Sequence, residues 1–307
     1  MRIAIIGRSE NLYKSAQFLA EKGHTIELII TAKEAPEYTK GSEDFRKLAE
    51  DLGARFIHSP KIRPLYNEIQ ALDLDVGISM NYVDVVDQET IDLFKYGILN
   101  AHGGDLPRYR GNACQAWALL NGESKIGLCI HKMIGGELDS GDIIARNYYP
   151  IDINSKIREV YDWIYEQMPI LFNFALARLT EDPSYVLEVQ SLDPKKILRT
   201  YPRCYEDGRI HWASERDHIV RLVNASGPPY EGAFCYYKGK KMTILDAAVL
   251  DHDEKFLAIP GQVTTIGDGF VDVVAGNMKK LRVLKVVFEG ELGAPNQFIK
   301  SIRSRLS

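Results

Sequence analysis

The sequence predicts an α/β protein with a mainly parallel sheet, followed by a small β-rich domain. Three observations predict it. Strand-like and helix-like patterns alternate through residues 1–150, as a parallel sheet covered by helices on both faces requires. A polar stretch from Glu181 to Pro202, with Pro183, Pro194 and Pro202, ends that alternation. Beyond it, short apolar runs are separated by Lys238-Gly239-Lys240, Gly267-Asp268-Gly269 and Gly276-Asn277-Met278, the pattern of a small barrel or sandwich.

Each element has its own signal. Ile3 to Ile6 is a β-branched run that stops at Gly7, and Asn11 to Lys22 has helical spacing and stops at Gly23. Thr25 to Thr31 reads as a second strand, Phe45 to Leu52 as a helix, Ala54 to His58 as a short strand, and Leu74 to Met80 as another. Arg63 to Ala71 has the spacing of a helix. The pattern is Rossmann-like, yet the first turn, Gly7-Arg8-Ser9-Glu10-Asn11, has one glycine where a dinucleotide fingerprint needs three. From Ser155 to Leu179 apolar residues recur at three and four, and Pro169 inside that run predicts a kink or a join of two helices. In the later part, Gly232 to Tyr237, Met242 to Leu250, Gly261 to Ile266, Gly269 to Ala275 and Leu281 to Phe288 read as strands, and Asn296 to Leu306 as a final helix. The domains expected are 1–190, a linker at 191–203, and 204–307.

Composition narrows the function. The 307 residues carry a net charge of −4, with no basic block, which argues against gripping nucleic acid by the whole surface. The four cysteines, Cys114, Cys129, Cys204 and Cys235, form no CxxC pair and so no zinc signature; their scatter fits reduced thiols in a cytoplasm. The apolar run at the N-terminus is too short for a signal peptide, and no run approaches the roughly 18 apolar residues of a membrane span.

The chemistry-bearing stretch is Asn100 to Asp142. Asn100 and His102 stand two apart at the end of an apolar run, so a continuing strand puts both on one face. An amide N–H beside an imidazole can hold a carbonyl oxygen that turns negative, and the imidazole can carry a proton near neutral pH. Asp139, in the loop Leu138-Asp139-Ser140-Gly141-Asp142, can orient the histidine, take a proton or fix a water. No activated serine or cysteine stands in the set, and Cys114 at an apolar helix start reads as a packing residue. The set suits acyl-type transfer straight to a substrate nucleophile. His131 reads as a strand residue, Asp142 as a turn or cap residue and Arg110 as structural, while Arg108 is either a solvated charge or an anchor for an anion.

Asn100-x-His102, Leu106-Pro107-Arg108-Tyr109-Arg110-Gly111 and Leu138-Asp139-Ser140-Gly141-Asp142 together resemble the tetrahydrofolate-dependent formyltransferases. Pro202, Asp207-Gly208-Arg209-Ile210, Trp212, Pro229-Tyr230-x-Gly232-Ala233-Phe234 and Pro260-Gly261-Gln262-Val263 extend the resemblance into the second domain, most closely to the sugar N-formyltransferases. The resemblance implies a Rossmann-like catalytic domain with an OB-like C-terminal domain. It implies N10-formyltetrahydrofolate as co-substrate, no metal, and, for many members, a homodimer. By resemblance Asn100 and His102 bind the oxyanion, His102 moves the proton, and Asp139 orients His102 or a water. The folate would lie against Met80, Asn81, Tyr82, Val83 and Val85 on one loop and Gly136 and Leu138 on another. Arg108, Tyr109, Asn112 and Gln115 are the candidate substrate residues.

The acceptor expected is the primary amine of a nucleotide-linked amino deoxysugar. The segment Thr31 to Phe45 is short and holds Glu34, Glu37, Glu43 and Asp44; in the initiator-tRNA enzymes of the family it resembles, this region looks like a longer basic loop. The loop Met80-Asn81-Tyr82 is also nearer the aminosugar branch. On the other side, residues 195–307 hold 18 Lys and Arg against 13 Asp and Glu, an excess suited to phosphates of either substrate. Gly103-Gly104-Asp105 departs from the family's usual His-x-Ser-Leu-Leu-Pro pattern. Methionyl-tRNA formyltransferase is the alternative, and a folate-binding protein without turnover a third reading. Neither nucleic acid nor membrane is an expected partner.

Overall fold

The computed structural model describes residues 1–307, which fall into two compact units. The first comprises 1–114, 126–149 and 161–201, and the second 115–125, 150–160 and 202–307. The chain thus passes into its last segment between Tyr201 and Pro202. Two earlier excursions, which no composition shift marks, also belong to the second unit.

In chain order the elements up to the linker begin with β1 (Arg2–Gly7), α1 (Glu10–Glu21), β2 (Thr25–Thr31), α2 (Ser42–Leu52) and β3 (Arg55–His58). Next come α3 (Tyr66–Gln70), β4 (Val76–Met80), α4 (Gln88–Ile91), β5 (Ile98–His102) and β6 (Arg110–Gly111). Then follow α5 (Cys114–Asn121), β7 (Lys125–Lys132), β8 (Ile143–Pro150), α6 (Ile157–Glu181) and β9 (Arg199–Thr200). The main sheet runs β3-β2-β1-β4-β5-β7-β8. Its first five strands pair in parallel, and β7 joins β5 antiparallel. The mainly parallel α/β expectation is borne out.

The physical cause is visible strand by strand. β1 and β4 are buried on both faces, with Ile3, Ile5, Ile6, Val76 and Ile78 sealed from solvent, which is why they read as unbroken apolar runs. On α1 the inward stripe is Leu12, Ala16 and Leu19. The strand order reverses between β1 and β4, and such a reversal opens a crevice at the carboxyl ends of the strands. Gly7 ends β1 there: a Cβ on it would stand 2.0 Å from the Met80 carbonyl oxygen. The anticipated helix at Arg63 to Ala71 is a 3-10 turn, Arg63–Leu65, followed by the short α3. Pro169 does not divide α6, which is one continuous helix.

The second unit holds α7 (Arg216–Ala225), β10 (Ala233–Tyr237), β11 (Lys240–Leu250), β12 (Val263–Gly267), β13 (Phe270–Val274), β14 (Lys280–Phe288) and β15 (Glu291–Gly293). The sheet runs β10-β11-β14-β13-β12, with β15 against β14, and every pair is antiparallel. The small β-rich domain is therefore present. Ile219, Val220 and Val223 of α7 pack into a core with Trp212, Met242, Ile244, Val271 and Val283. The expected final helix is absent. After a 3-10 turn at Pro295–Gln297 the chain is extended, and it bridges Tyr237 with Leu306 and Gln262 with Arg305. Those last residues cover β10 and the start of β12, whose edge N–H and C=O groups would otherwise lack partners.

Candidate active site

Strand β5 delivers Asn100 and His102, as the period of two requires, and the antiparallel register sets Asn100 opposite His131 and His102 opposite Cys129. The Asn100 Nδ2 donates to His131 Nε2 at 3.1 Å. His131 Nδ1 donates to the Lys132 carbonyl at 2.9 Å, which leaves Nε2 as the acceptor. One N–H of the Asn100 amide is thus committed, and the other remains for a ligand.

His102 is buried. Its Nε2 donates to the Tyr109 carbonyl at 2.6 Å, and its Nδ1 lies 3.5 Å from Asp139 Oδ2. The carboxylate has two further neighbours. Oδ2 accepts the Gly111 N–H at 2.9 Å, and Oδ1 lies 3.5 Å from His131 Nε2. Asp139 is itself buried and has a left-handed backbone, φ 51°, a conformation that costs a non-glycine residue about 1–2 kcal/mol.

Burial works against charge on both partners, and on both their mutual attraction prevails. Burial alone would lower the His102 pKa; the Asp139 carboxylate, with smaller help from Cys114 and the Tyr109 carbonyl, raises it instead. Burial alone would raise Asp139; the facing His102 and, less strongly, the Gly111 N–H push it below the usual carboxylate range. Both shifts favour an imidazolium facing a carboxylate.

Gly104 explains part of the departure at Gly103-Gly104. A Cβ there would stand 2.5 Å from the Tyr109 carbonyl oxygen and 2.6 Å from His102 Nε2. The close seat of Tyr109 on His102 leaves no room for a side chain. Cys114 donates its thiol to the same Tyr109 oxygen at 3.0 Å and is buried away from the cavity wall.

Asn100, His102 and Asp139 line a cavity of about 400 Å³ formed wholly within the first unit, at the carboxyl ends of its strands. Asn81, Tyr82, Val85, Gly136, Leu138 and Asn112 line it too. Others of the expected residues do not. Met80 is buried and takes the Ser9 hydroxyl on its sulfur at 3.6 Å. Val83 is exposed beside the mouth, and Arg108 is exposed with its guanidinium over the Tyr109 ring. The Tyr109 side chain is buried, so its backbone oxygen is what reaches the site. Gln115 belongs to the second unit.

Two loops make the mouth. Gly136 N–H donates to the Val86 carbonyl at 3.1 Å, and Gly135 N–H to the Gln88 side chain at 2.9 Å. Tyr82 is anchored through its hydroxyl to the Ser59 carbonyl at 2.8 Å. At the far wall, Arg8 donates to the carbonyls of Asn81 and Lys33 at 2.9 and 2.7 Å, and Asn81 donates to the Tyr38 hydroxyl at 2.9 Å. His131, Arg8 and Tyr38 are site residues that sequence reasoning passed over. Only the period of two in β7 hinted at His131. No group of three or more His, Cys, Asp or Glu side chains is placed to hold a metal ion, and no helix is long and apolar enough to cross a membrane.

The family profile described as formyl transferase matches residues 1–176, and that of the formyl transferase C-terminal domain matches 204–302. The chain belongs to the formyl transferase family. Its fold recurs in solved structures. WlaRD, a sugar 3N-formyl transferase solved with dTDP and 5-N-formyl-THF, is 17% identical with a TM-score of 0.66, over 95% of this chain and 99% of that one. The N-formyltransferase of Helicobacter canadensis, solved with folinic acid and dTDP-3-aminofucose, is 16% identical with a TM-score of 0.68, over 92% and 98%. HypX of Aquifex aeolicus in complex with tetrahydrofolic acid is 16% identical with a TM-score of 0.61; this chain is covered over 98% and spans 47% of the HypX chain. At these identities the likeness is one of fold.

Proposed function

We propose that this formyltransferase moves a formyl group from N10-formyltetrahydrofolate to the primary amine of a nucleotide-linked amino deoxysugar. The observation that carries the chemistry is the buried His102–Asp139 pair beside the half-committed Asn100 amide, at the floor of an open cavity. The acceptor nitrogen attacks the formyl carbon directly. Negative charge grows on the formyl oxygen, which accepts the second N–H of Asn100, while the positive charge of His102, whose own N–H groups face Tyr109 and Asp139, stabilises it through space. The attacking nitrogen then loses a proton and N10 gains one as the C–N10 bond breaks. The His102–Asp139 pair handles that proton, Asp139 either holding His102 in place or fixing a water. Cys114 stays outside the cavity, in keeping with transfer without a covalent enzyme intermediate.

The folate fits the two-loop mouth. Asn81, Tyr82, Val85, Gly136 and Leu138 offer backbone groups and apolar surface there. For the acceptor, two structures with this fold hold dTDP or a dTDP-amino sugar. The acidic segment before α2 also argues for the sugar. Glu34 accepts the Ser42 N–H and Asp44 accepts the Gly41 N–H, so these acids secure the start of α2. No basic loop stands there to meet an RNA stem. Asn112 is the substrate-side candidate that reaches the cavity. The reading places the enzyme in the cytoplasm, consistent with four free cysteines, and as a homodimer, which sedimentation checks.

The test is a panel of UDP-, dTDP- and GDP-linked amino sugars incubated with enzyme and N10-formyltetrahydrofolate, read by the mass gain of one formyl group. Transfer to at least one member is expected. Faster transfer to methionyl-tRNA than to any sugar would refute the acceptor assignment, and no transfer to any amine would favour a binding protein.

A further inference from the structure

The Asp139 carboxylate owes its position to residues remote in sequence. Gln190, in the irregular segment after α6, is buried. Its Nε2 donates to the Asp139 carbonyl at 3.0 Å and to the Gly141 carbonyl at 2.6 Å. Its Oε1 accepts from Arg110 Nη2 at 2.8 Å, and its backbone N–H donates to Asp142 Oδ1 at 3.2 Å. Arg110 adjoins Gly111, whose N–H donates to Asp139 Oδ2. These bonds close a ring: Gly111 holds the carboxylate of Asp139, Gln190 holds its carbonyl, and Arg110 ties Gln190 back to Gly111.

We infer that Gln190 is a positioning residue for formyl transfer, fixing the left-handed Asp139 turn so that its carboxylate faces His102. A glutamine suits the task, since one amide supplies two donors for two carbonyls and one acceptor for a guanidinium. The segment itself is held in register: Arg110 and Gly111 in β6 pair with Arg199 and Thr200 in β9, and a Cβ on Gly111 would stand 2.4 Å from the Thr200 carbonyl oxygen. The stretch after α6 therefore forms the back wall of the catalytic turn. The assignment rests on the role proposed for Asp139.

Two variants test it. Gln190→Met keeps the length and loses all three side-chain bonds. Gln190→Glu keeps an oxygen for Arg110 and loses both donated bonds. Misplacing a catalytic group by a fraction of an ångström to an ångström predicts a fall in kcat of about 10- to 100-fold in each variant, with KM for both substrates little changed. The second readout is the His102 ring titration by NMR. Asp139, Cys114, the Tyr109 carbonyl and, at 6.4 Å between ring centroids, His131 face that ring. With Asp139 loosened, the titration is expected to move down, toward the ordinary histidine value, in both variants. An unmoved His102 titration in the folded Glu variant, or a kcat within about twofold of native, would overturn the inference, whether or not the Met variant folds. Asp139→Asn is the control. If it transfers normally, the reading of Asp139 fails; if it is dead while the Gln190 variants are native-like, the Gln190 assignment alone fails.

Discussion

The floor and the mouth of the cavity are built on opposite principles. At the floor, His102, Asp139 and His131 are buried, and His102 and Asp139, whose shifts favour opposite charges, are held by backbone partners. At the mouth, Val85, Ile134 and Leu138 are apolar and exposed by 67%, 39% and 43%, with Val83 beside them at 47%; such a group, unlike a single exposed apolar residue, points to something that covers it. A buried charged pair is costly unless its geometry is fixed, and it is then strong toward developing charge. Exposed apolar side chains gain only when something covers them. The floor is therefore suited to stabilise a transition state, and the mouth to bind a flat, partly apolar ligand.

Breaking the floor has the largest expected effect. His102→Ala and Asp139→Asn should each lower kcat/KM by about 10²–10⁴-fold, measured beside a circular dichroism spectrum that stays native. Asn100→Ala removes one oxyanion donor and should cost about 10²–10³-fold in kcat, with KM for both substrates nearly constant. His131→Ala leaves the Asn100 amide without its bond to the ring and should give a smaller fall, again in kcat. Breaking the mouth should act on the other parameter. Val85→Ala or Leu138→Ala removes apolar surface worth about 1 kcal/mol, so KM for the folate should rise about fivefold while kcat holds. A mouth variant that lowers kcat at constant KM would erase the distinction between the two regions.

Acid and base sharpen it further. The His102 pKa is raised from its ordinary 6.5, so the stability it contributes is complete below 6.5 and disappears as pH climbs through the raised value. Asp139 is depressed from its ordinary 3.8, so its contribution is complete above 3.8 and disappears as pH falls through the lowered value. Both are in full force between those two ordinary values. The Tm difference between native enzyme and Asp139→Asn should therefore be greatest there and shrink toward either extreme. A difference that is flat with pH would deny the charged pair. The mouth variants should show no such dependence.

What the sequence revealed follows the same division. β1 and β4 were legible because burial on both faces leaves unbroken apolar runs, and Asn100 with His102 because two residues apart on a strand means one face. His131 carries no more than a strand signal in the sequence, because its partner is 31 positions away and only the antiparallel register of β5 and β7 brings them together. Gln190 was invisible for the same reason, 51 residues from Asp139. The sequence suggests Tyr109 as a substrate side chain, while the structure uses its carbonyl, an atom that every residue has. Spacing alone predicts a final helix, and the structure has none. Ile299 and Leu306 are buried as an inward stripe would require, but Ile302 is 56% exposed, and the segment instead completes the edges of a sheet.

The most direct test follows a ¹³C-formyl group from labelled N10-formyltetrahydrofolate into an excess of nucleotide-linked amino sugar in a single turnover. Native enzyme should place the label on the sugar nitrogen as a formamide, and Asp139→Asn, with its fold intact, should leave it on the folate. Label transferred equally well by both proteins, or carried to methionyl-tRNA in preference to every sugar, would contradict the account.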